Sequence, residues 1–261
     1  MKRMVWVLAL ASGCVELDPE YVPEEPGPPP QMMRTKTMAG ELPVVGIDSD
    51  RAGGLWIAYE KQKGGYYVND EIILAHVDAH GAKVAEFKLS DTYAEVLGIA
   101  FDGQAVWVNY RSATVSGGIA MPYVRAIDVT SGLETARYEV EMDISDLEVD
   151  DARHELLLSS EHEGVIALDL ATGTETWRMP GAQSAIALTD DGKLWLASRF
   201  WAVLELRDAQ KNPIATYTED VTDDHHVSSY RLFLAWDPTR HQVIASAENQ
   251  ISWLAIRGEA P

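Results

Sequence analysis

The chain has 261 residues, 46% of them hydrophobic, with 21 Lys and Arg against 41 Asp and Glu for a net charge of -20. That apolar content supports a sizeable core and excludes a chain disordered throughout. The acidic balance, with no basic stripe, excludes a nucleic-acid surface, because phosphate contacts need clustered Lys and Arg. Acidity of this kind is read first as solubility.

Lys2 and Arg3 precede an apolar stretch from Met4 to Ala11, which ends in small residues before Cys14. The stretch is far shorter than the roughly 20 apolar residues a permanent span needs, and it has the dimensions of a secretory signal. Cys14 is the only cysteine, so an exported chain would carry one thiol with no internal partner. Leu10-Ala11-Ser12-Gly13-Cys14 resembles a bacterial lipobox, with its leucine one position early. The resemblance implies cleavage after residue 13, lipidation of Cys14 and attachment to a membrane. Val15, which is not aspartate, implies the outer membrane over the inner. Residues 18–31 contain six prolines and three glutamates. Such a run forms neither helix nor ladder and is expected as an extended spacer, at about 3.1 Å per residue where regular. Residues 14–31 are therefore assigned to a lipidated linker and 32–261 to the folded domain.

The folded part repeats itself. An apolar entry, an Asp-bearing turn and a dense hydrophobic strand recur at 46–59, 98–110, 147–160, 186–198 and 234–247. The strand centres Trp56, Trp107, Leu157, Trp195 and Ile244 are spaced by 51, 50, 38 and 49 residues, a mean of 47. Between them lies a strand, an Asp-bearing turn and another strand, at 74–87, 125–140, 165–179 and 204–217. Four short strands per unit at this period mark the blades of an all-β propeller. Runs such as Ala105-Val106-Trp107-Val108 and Leu194-Trp195-Leu196-Ala197 do not alternate, as expected of strands covered on both faces. The last unit has only three strands, and residues 33–38 stand where an outermost strand should precede the first unit. Pairing the two ends in one blade would close the ring and remove an open edge. The expectation is five blades, with a sixth hidden in a long loop as the alternative.

Residues 167–177, ALDLATGTETW, resemble the A-x-D-x-x-T-G-x-x-x-W motif of pyrroloquinoline-quinone-type repeat propellers, relatives in form of WD40-like rings, and residues 126–132 are a weaker copy. The resemblance implies an outer hairpin and a packed tryptophan, without the quinone, since the quinone enzymes are much larger. Lipoprotein members of that family include a scaffold for outer-membrane barrel assembly.

Propeller ligands usually meet the face built from the loops that enter each blade and those that join its second and third strands. That face is expected to carry 59–70, Tyr93, 109–121, 161–163, 199–201, 222–228 and 248–249. Within it Tyr93, Arg111, Arg199 and Trp201 could clamp a ligand. Asp223, Asp224, His225 and His226 have no counterpart in other units, and with Glu163 and His162 across the channel they could hold a divalent cation or supply an acid/base pair. His76, Asp78 and His80 look like a metal trio, but Asp78 holds the same repeat position as Asp128, Asp169 and Asp208 and is read as a turn former. No nucleophile elbow, P-loop or zincin motif is present. The preferred expectation is a monomeric, non-catalytic scaffold for an envelope protein or polymer. The alternative is a propeller hydrolase, lyase or cyclotransferase with a metal or acid/base site in the central channel.

Overall fold

The protein, described by a computed structural model, is a ring of five four-stranded antiparallel blades. The described residues are 31–39, 42–61, 71–90, 94–112, 122–181, 183–197, 203–219, 232–247 and 250–256. The chain enters through β1 (Gln31–Ala39). Blade one is β2 (Val44–Ser49), β3 (Leu55–Lys61), β4 (Glu71–Val77) and β5 (Lys83–Ser90). Blade two is β6 (Ala94–Phe101), β7 (Ala105–Ser112), β8 (Tyr123–Asp128) and β9 (Glu134–Glu139). Blade three is β10 (Asp146–Asp150), β11 (Glu155–Ser160), β12 (Gly164–Asp169) and β13 (Glu175–Met179). Blade four is β14 (Ala185–Leu188), β15 (Leu194–Ala197), β16 (Val203–Arg207) and β17 (Pro213–Glu219). Blade five is β18 (Leu232–Asp237), β19 (Gln242–Ala247), β20 (Gln250–Ile256) and, returning from the start of the domain, β1.

The strands without alternation are the inner ones. Every residue of β2, β10, β11 and β15 is buried, because each blade face packs on its neighbour. Outer strands such as β9 alternate between exposed and half-buried. The apolar clusters accordingly lie between blades: Trp107 with Leu156 and Leu158 between two and three, Trp195 with Leu234 and Val243 between four and five. The strand centres aligned in the sequence all fall on second strands. Each of the five sits opposite an equivalent first-strand residue: Trp56 faces Asp48, Trp107 faces Ala100, Leu157 faces Glu148, Trp195 faces Ala187 and Ile244 faces Ala235.

A second ladder ties the rim. The aromatic residue of one outer strand packs on the left-handed turn residue of the next blade. A Cβ at Gly132 would meet the Phe87 ring at 2.9 Å, so glycine is needed there for the close approach as well as for its φ of 70°. Tyr138 covers Gly173 in the same way and donates its hydroxyl to Leu170 O at 2.6 Å. Blade four has Lys211 at this place, with φ 69° and Nζ 5.4 Å from the Trp177 ring centroid. The tryptophan of the A-x-D-x-x-T-G-x-x-x-W motif is thus a blade-packing residue, fixed by Nε1 donating to Glu155 at 2.8 Å.

Closure follows the expected pairing. Residues of β1 run antiparallel to β20, with Met33 opposite Ala255 and Met38 opposite Ile251. One feature is additional. Gln31 and Met32 also pair in parallel with Thr218 and Glu219 of β17, so blades four and five become one eight-stranded sheet.

Candidate active site at the mouth of the channel

The five first strands line the ring axis. Each pairs with its second strand along one edge only, which leaves N–H groups on the other edge that need acceptors. Side-chain carboxylates supply several of them. Asp48 accepts from Phe101 N of blade two at 2.5 Å and from Ser49 N at 2.6 Å. Glu148 accepts from Leu188 N of blade four at 3.1 Å and from Val149 N at 3.0 Å. Asp146 accepts from Ile186 N and Leu234 N, both at 3.2 Å, so one carboxylate joins blades three, four and five. Gly98, the residue of β6 equivalent to Asp146, makes room for it: a Cβ there would lie 2.7 Å from Asp146 Cα.

Asp146 is sealed in, whereas Asp48 and Glu148 form the floor of a cavity of about 590 Å³. The cavity opens where β2, β10, β14 and β18 run into their first turns. Its lining has six acidic residues, Asp48, Glu148, Asp150, Asp151, Asp190 and Asp191, against Arg51 and Arg153. Arg51 crosses the mouth: it pairs with Asp151 of blade three and donates to Phe101 O of blade two at 2.8 Å. Its backbone is left-handed, at φ 64°, and its N–H is held by Ser49 Oγ at 3.0 Å. Arg153 is tied to Asp150 at 2.6 Å.

Burial dominates the electrostatics. It pushes the Asp48 carboxyl up to about 7, against the lowering effect of the Phe101 and Ser49 N–H groups and of Arg51. Burial also raises Glu148 well above its ordinary value, reinforced by the charge of Asp48. Asp146 is raised for the same first reason. The turn carboxylates behave in the opposite way: Asp128 and Asp169, hydrogen-bonded by their own turns, are lowered.

The described residues among those singled out in the sequence lie elsewhere. His162 and Glu163 occupy the β11–β12 turn at the other end of the ring, their N–H groups held by Ser160 Oγ, and Glu163 pairs with Arg178 at 3.0 Å. Arg111 falls in β7 opposite Glu95. Cys14, Tyr93, Arg199, Trp201, Asp223, Asp224, His225 and His226 lie outside the described residues. His76 is stacked on Trp56 at 4.5 Å and bonded to Asp50 at 2.8 Å, while Asp78 caps its turn through the N–H groups of His80 and Ala82. Those three residues are therefore structural. Among the described residues no three His, Cys, Asp or Glu side chains converge as a metal site would require.

Asp48, Asp146 and Glu148 were not singled out in the sequence, although the repeat carries a signal. Where Asp48 and Glu148 stand, the other three units have Ala100, Ala187 and Ala235; where Asp146 stands, two units have Gly46 and Gly98. A carboxylate at a small-residue position of a fully apolar strand is a departure with a reason.

These features define an all-β five-bladed propeller with an acid-floored cavity at one mouth of its channel. No family model matches the chain, and no curated protein matches it. Among solved structures, the glutaminyl cyclase of Myxococcus xanthus superposes on 88% of this chain and 98% of its own, with a TM-score of 0.61 and 9% identity. Raptor from Chaetomium thermophilum aligns with 80% of this chain and 19% of its own, at a TM-score of 0.46 and 10% identity. The cyclase likeness shows a shared fold.

Proposed function

We propose that the protein is an enzyme that carries out acid–base chemistry, hydrolysis, elimination or cyclisation, on a cationic substrate in the cavity at the channel mouth. The observation that supports this is the pair of buried carboxyls, Asp48 and Glu148, on the floor of a cavity that reaches solvent. Burial raises the proton affinity of both carboxyls. Asp48, poised near neutrality, takes a proton from the attacking group, and Glu148, raised in the same direction, serves as the acid toward the leaving group. The acidic lining favours a substrate that carries positive charge.

The scaffold reading preferred from the sequence needs a contiguous binding patch. Among the described residues the exposed large apolar side chains are Met33, Val84, Leu133 and Ile214, each on a different blade. No such patch supports it.

The test is a panel of amine-bearing esters and amides, with peptides that begin in glutamine included because a glutaminyl cyclase shares the fold. Asp48→Asn is expected to cut turnover by roughly 10²-fold or more, and the wild-type rate should rise with pH up to about 7 as Asp48 ionises. Turnover unchanged in Asp48→Asn and Glu148→Gln would end this reading.

The lipid anchor proposed at Cys14 places this chemistry at the cell envelope. Radiolabelled palmitate is expected in the wild-type chain and absent from Cys14→Ala; label retained in the variant would remove the anchor.

A further inference from the structure

We infer that the backbone N–H of Trp236 holds the carbonyl oxygen of the substrate, which is therefore an amide or ester bearing an ammonium group; this rests on the acid–base site just proposed.

Every second N–H of a first strand points to the ring axis, because hydrogen-bonded and free positions alternate along an antiparallel pair. At the level of the cavity floor the axial donors are Ser49, Phe101, Val149, Leu188 and Trp236, one from each blade. The direction at Trp236 follows from Leu234, two residues earlier in the unbroken β18–β19 register, whose N–H reaches Asp146. Each floor carboxyl serves two donors, the next residue of its own strand and the matching residue of the following blade. Asp48 takes Ser49 and Phe101, and Glu148 takes Val149 and Leu188. Two carboxyls therefore satisfy four blades, and an odd ring leaves one. Blade five has Ala235 where a carboxyl would stand, and blade four before it has Ala187. Among the described residues no acceptor reaches the Trp236 N–H.

Trp236 lines the cavity. At the level above, Asp146 takes Leu147, Ile186 and Leu234, and the donors of blades one and two are Ile47 and Ile99. Those two residues are fully buried and do not line the cavity, so the open donor that a ligand can reach is the one at Trp236.

Its place in the ring suits the chemistry. Blade five packs between blade four, where Glu148 meets Leu188, and blade one, which carries Asp48. A carbonyl oxygen on the Trp236 N–H thus has one carboxyl on each side. Asp48 takes the proton of the attacking group as that group bonds to the carbonyl carbon, and the π electrons move to the oxygen. A donor fixed in a sheet stabilises this oxyanion without reorienting. When the carbonyl re-forms, the bond to the leaving group breaks and Glu148 supplies its proton. Exchange with solvent then removes the proton from Asp48 and restores one to Glu148.

The experiment is amide NMR of the isotope-labelled full chain, titrated with glycinamide and with ethylamine. Both carry an ammonium group, and glycinamide alone has a carbonyl oxygen. The Trp236 amide proton is expected to move downfield with glycinamide and to stay in place with ethylamine. An unmoved Trp236 amide, or the same response to both amines, would overturn the inference. Replacing the Ala235–Trp236 peptide bond by an ester, through the α-hydroxy analogue of tryptophan, deletes the donor and keeps the side chain. In that variant kcat on amine-bearing amides is expected to fall roughly 10²-fold with KM little changed; kcat equal to the wild type would also overturn it. The titration reads binding alone. A protein inert toward every substrate whose Trp236 amide still moves would lose the acid–base reading and keep the carbonyl site, whereas turnover with an unmoved Trp236 amide would do the reverse.

Discussion

Raising the pH from 5 to 8 is expected to destabilise this protein, the reverse of the usual trend for a domain held by ion-paired carboxylates. Asp48 has an unfolded value near 3.8 and a folded value of about 7. Between these the folded state binds the extra proton, so stability falls as pH rises through that window and levels off above it. Asp48 alone contributes on the order of 4 kcal/mol across the window, and Glu148 and Asp146 act in the same direction. For a domain of this size the fall in Tm is on the order of 10 °C. The turn aspartates, with lowered values, supply the opposite limb: their stabilisation is lost as pH falls below about 4. Maximum stability is therefore expected at mildly acidic pH. Self-repulsion from the net charge of -20 also grows with pH. Asp48→Asn separates the two effects, since it should flatten the slope between pH 5 and 7 while leaving the net charge almost unchanged. A wild-type Tm that is constant or rises from pH 5 to 8 would show that the channel carboxyls are not held protonated.

Gly98→Ala is expected to be among the most destabilising single-methyl changes in the chain. Gly98 has φ 89°, outside the range an alanine adopts without strain. Its added Cβ would meet Asp146 Cα at 2.7 Å, Asp146 Oδ1 at 2.8 Å and Leu147 N at 3.0 Å. Two of these three atoms are backbone, so no rotamer change relieves them. Strain and overpacking together are expected to cost about 3 kcal/mol or more. The relaxation would displace Asp146 from Ile186 N and Leu234 N, loosening three blades at once. Chemical denaturation compared with Gly103→Ala is the appropriate measurement. Gly103 also has positive φ, at 93°, but open space around its Cβ, so it carries the conformational cost without the clash. Equal losses in the two variants would mean that the approach of β6 to β10 is not tight.

The proposed site was less legible in the sequence than the ring that carries it. The repeat placed Trp56, Trp107, Leu157, Trp195 and Ile244 on equivalent strands and residues 33–38 on the closing strand, and the structure has them there. It did not foretell that Gln31 and Met32 would also reach β17. Attention to unusual loops led to His162, Glu163 and residues 223–226. The carboxyls that line the channel sit instead in regular strands, where a single Asp or Glu is easily taken for a solvated position.

What the sequence by itself determined is local: strand spacing, turn chemistry at Asp78, Asp128, Asp169 and Asp208, and the unbroken apolar runs that require cover on both faces. These follow from backbone geometry and burial over a few residues. Only the tertiary structure decided which carboxylates are buried and what they hold. Asp48 meets Phe101 across 53 residues, and Asp146 meets Ile186 across 40 and Leu234 across 88. The protonation of Asp48 is set by desolvation inside a closed ring. That has no cause within any one blade; it arises when blades meet.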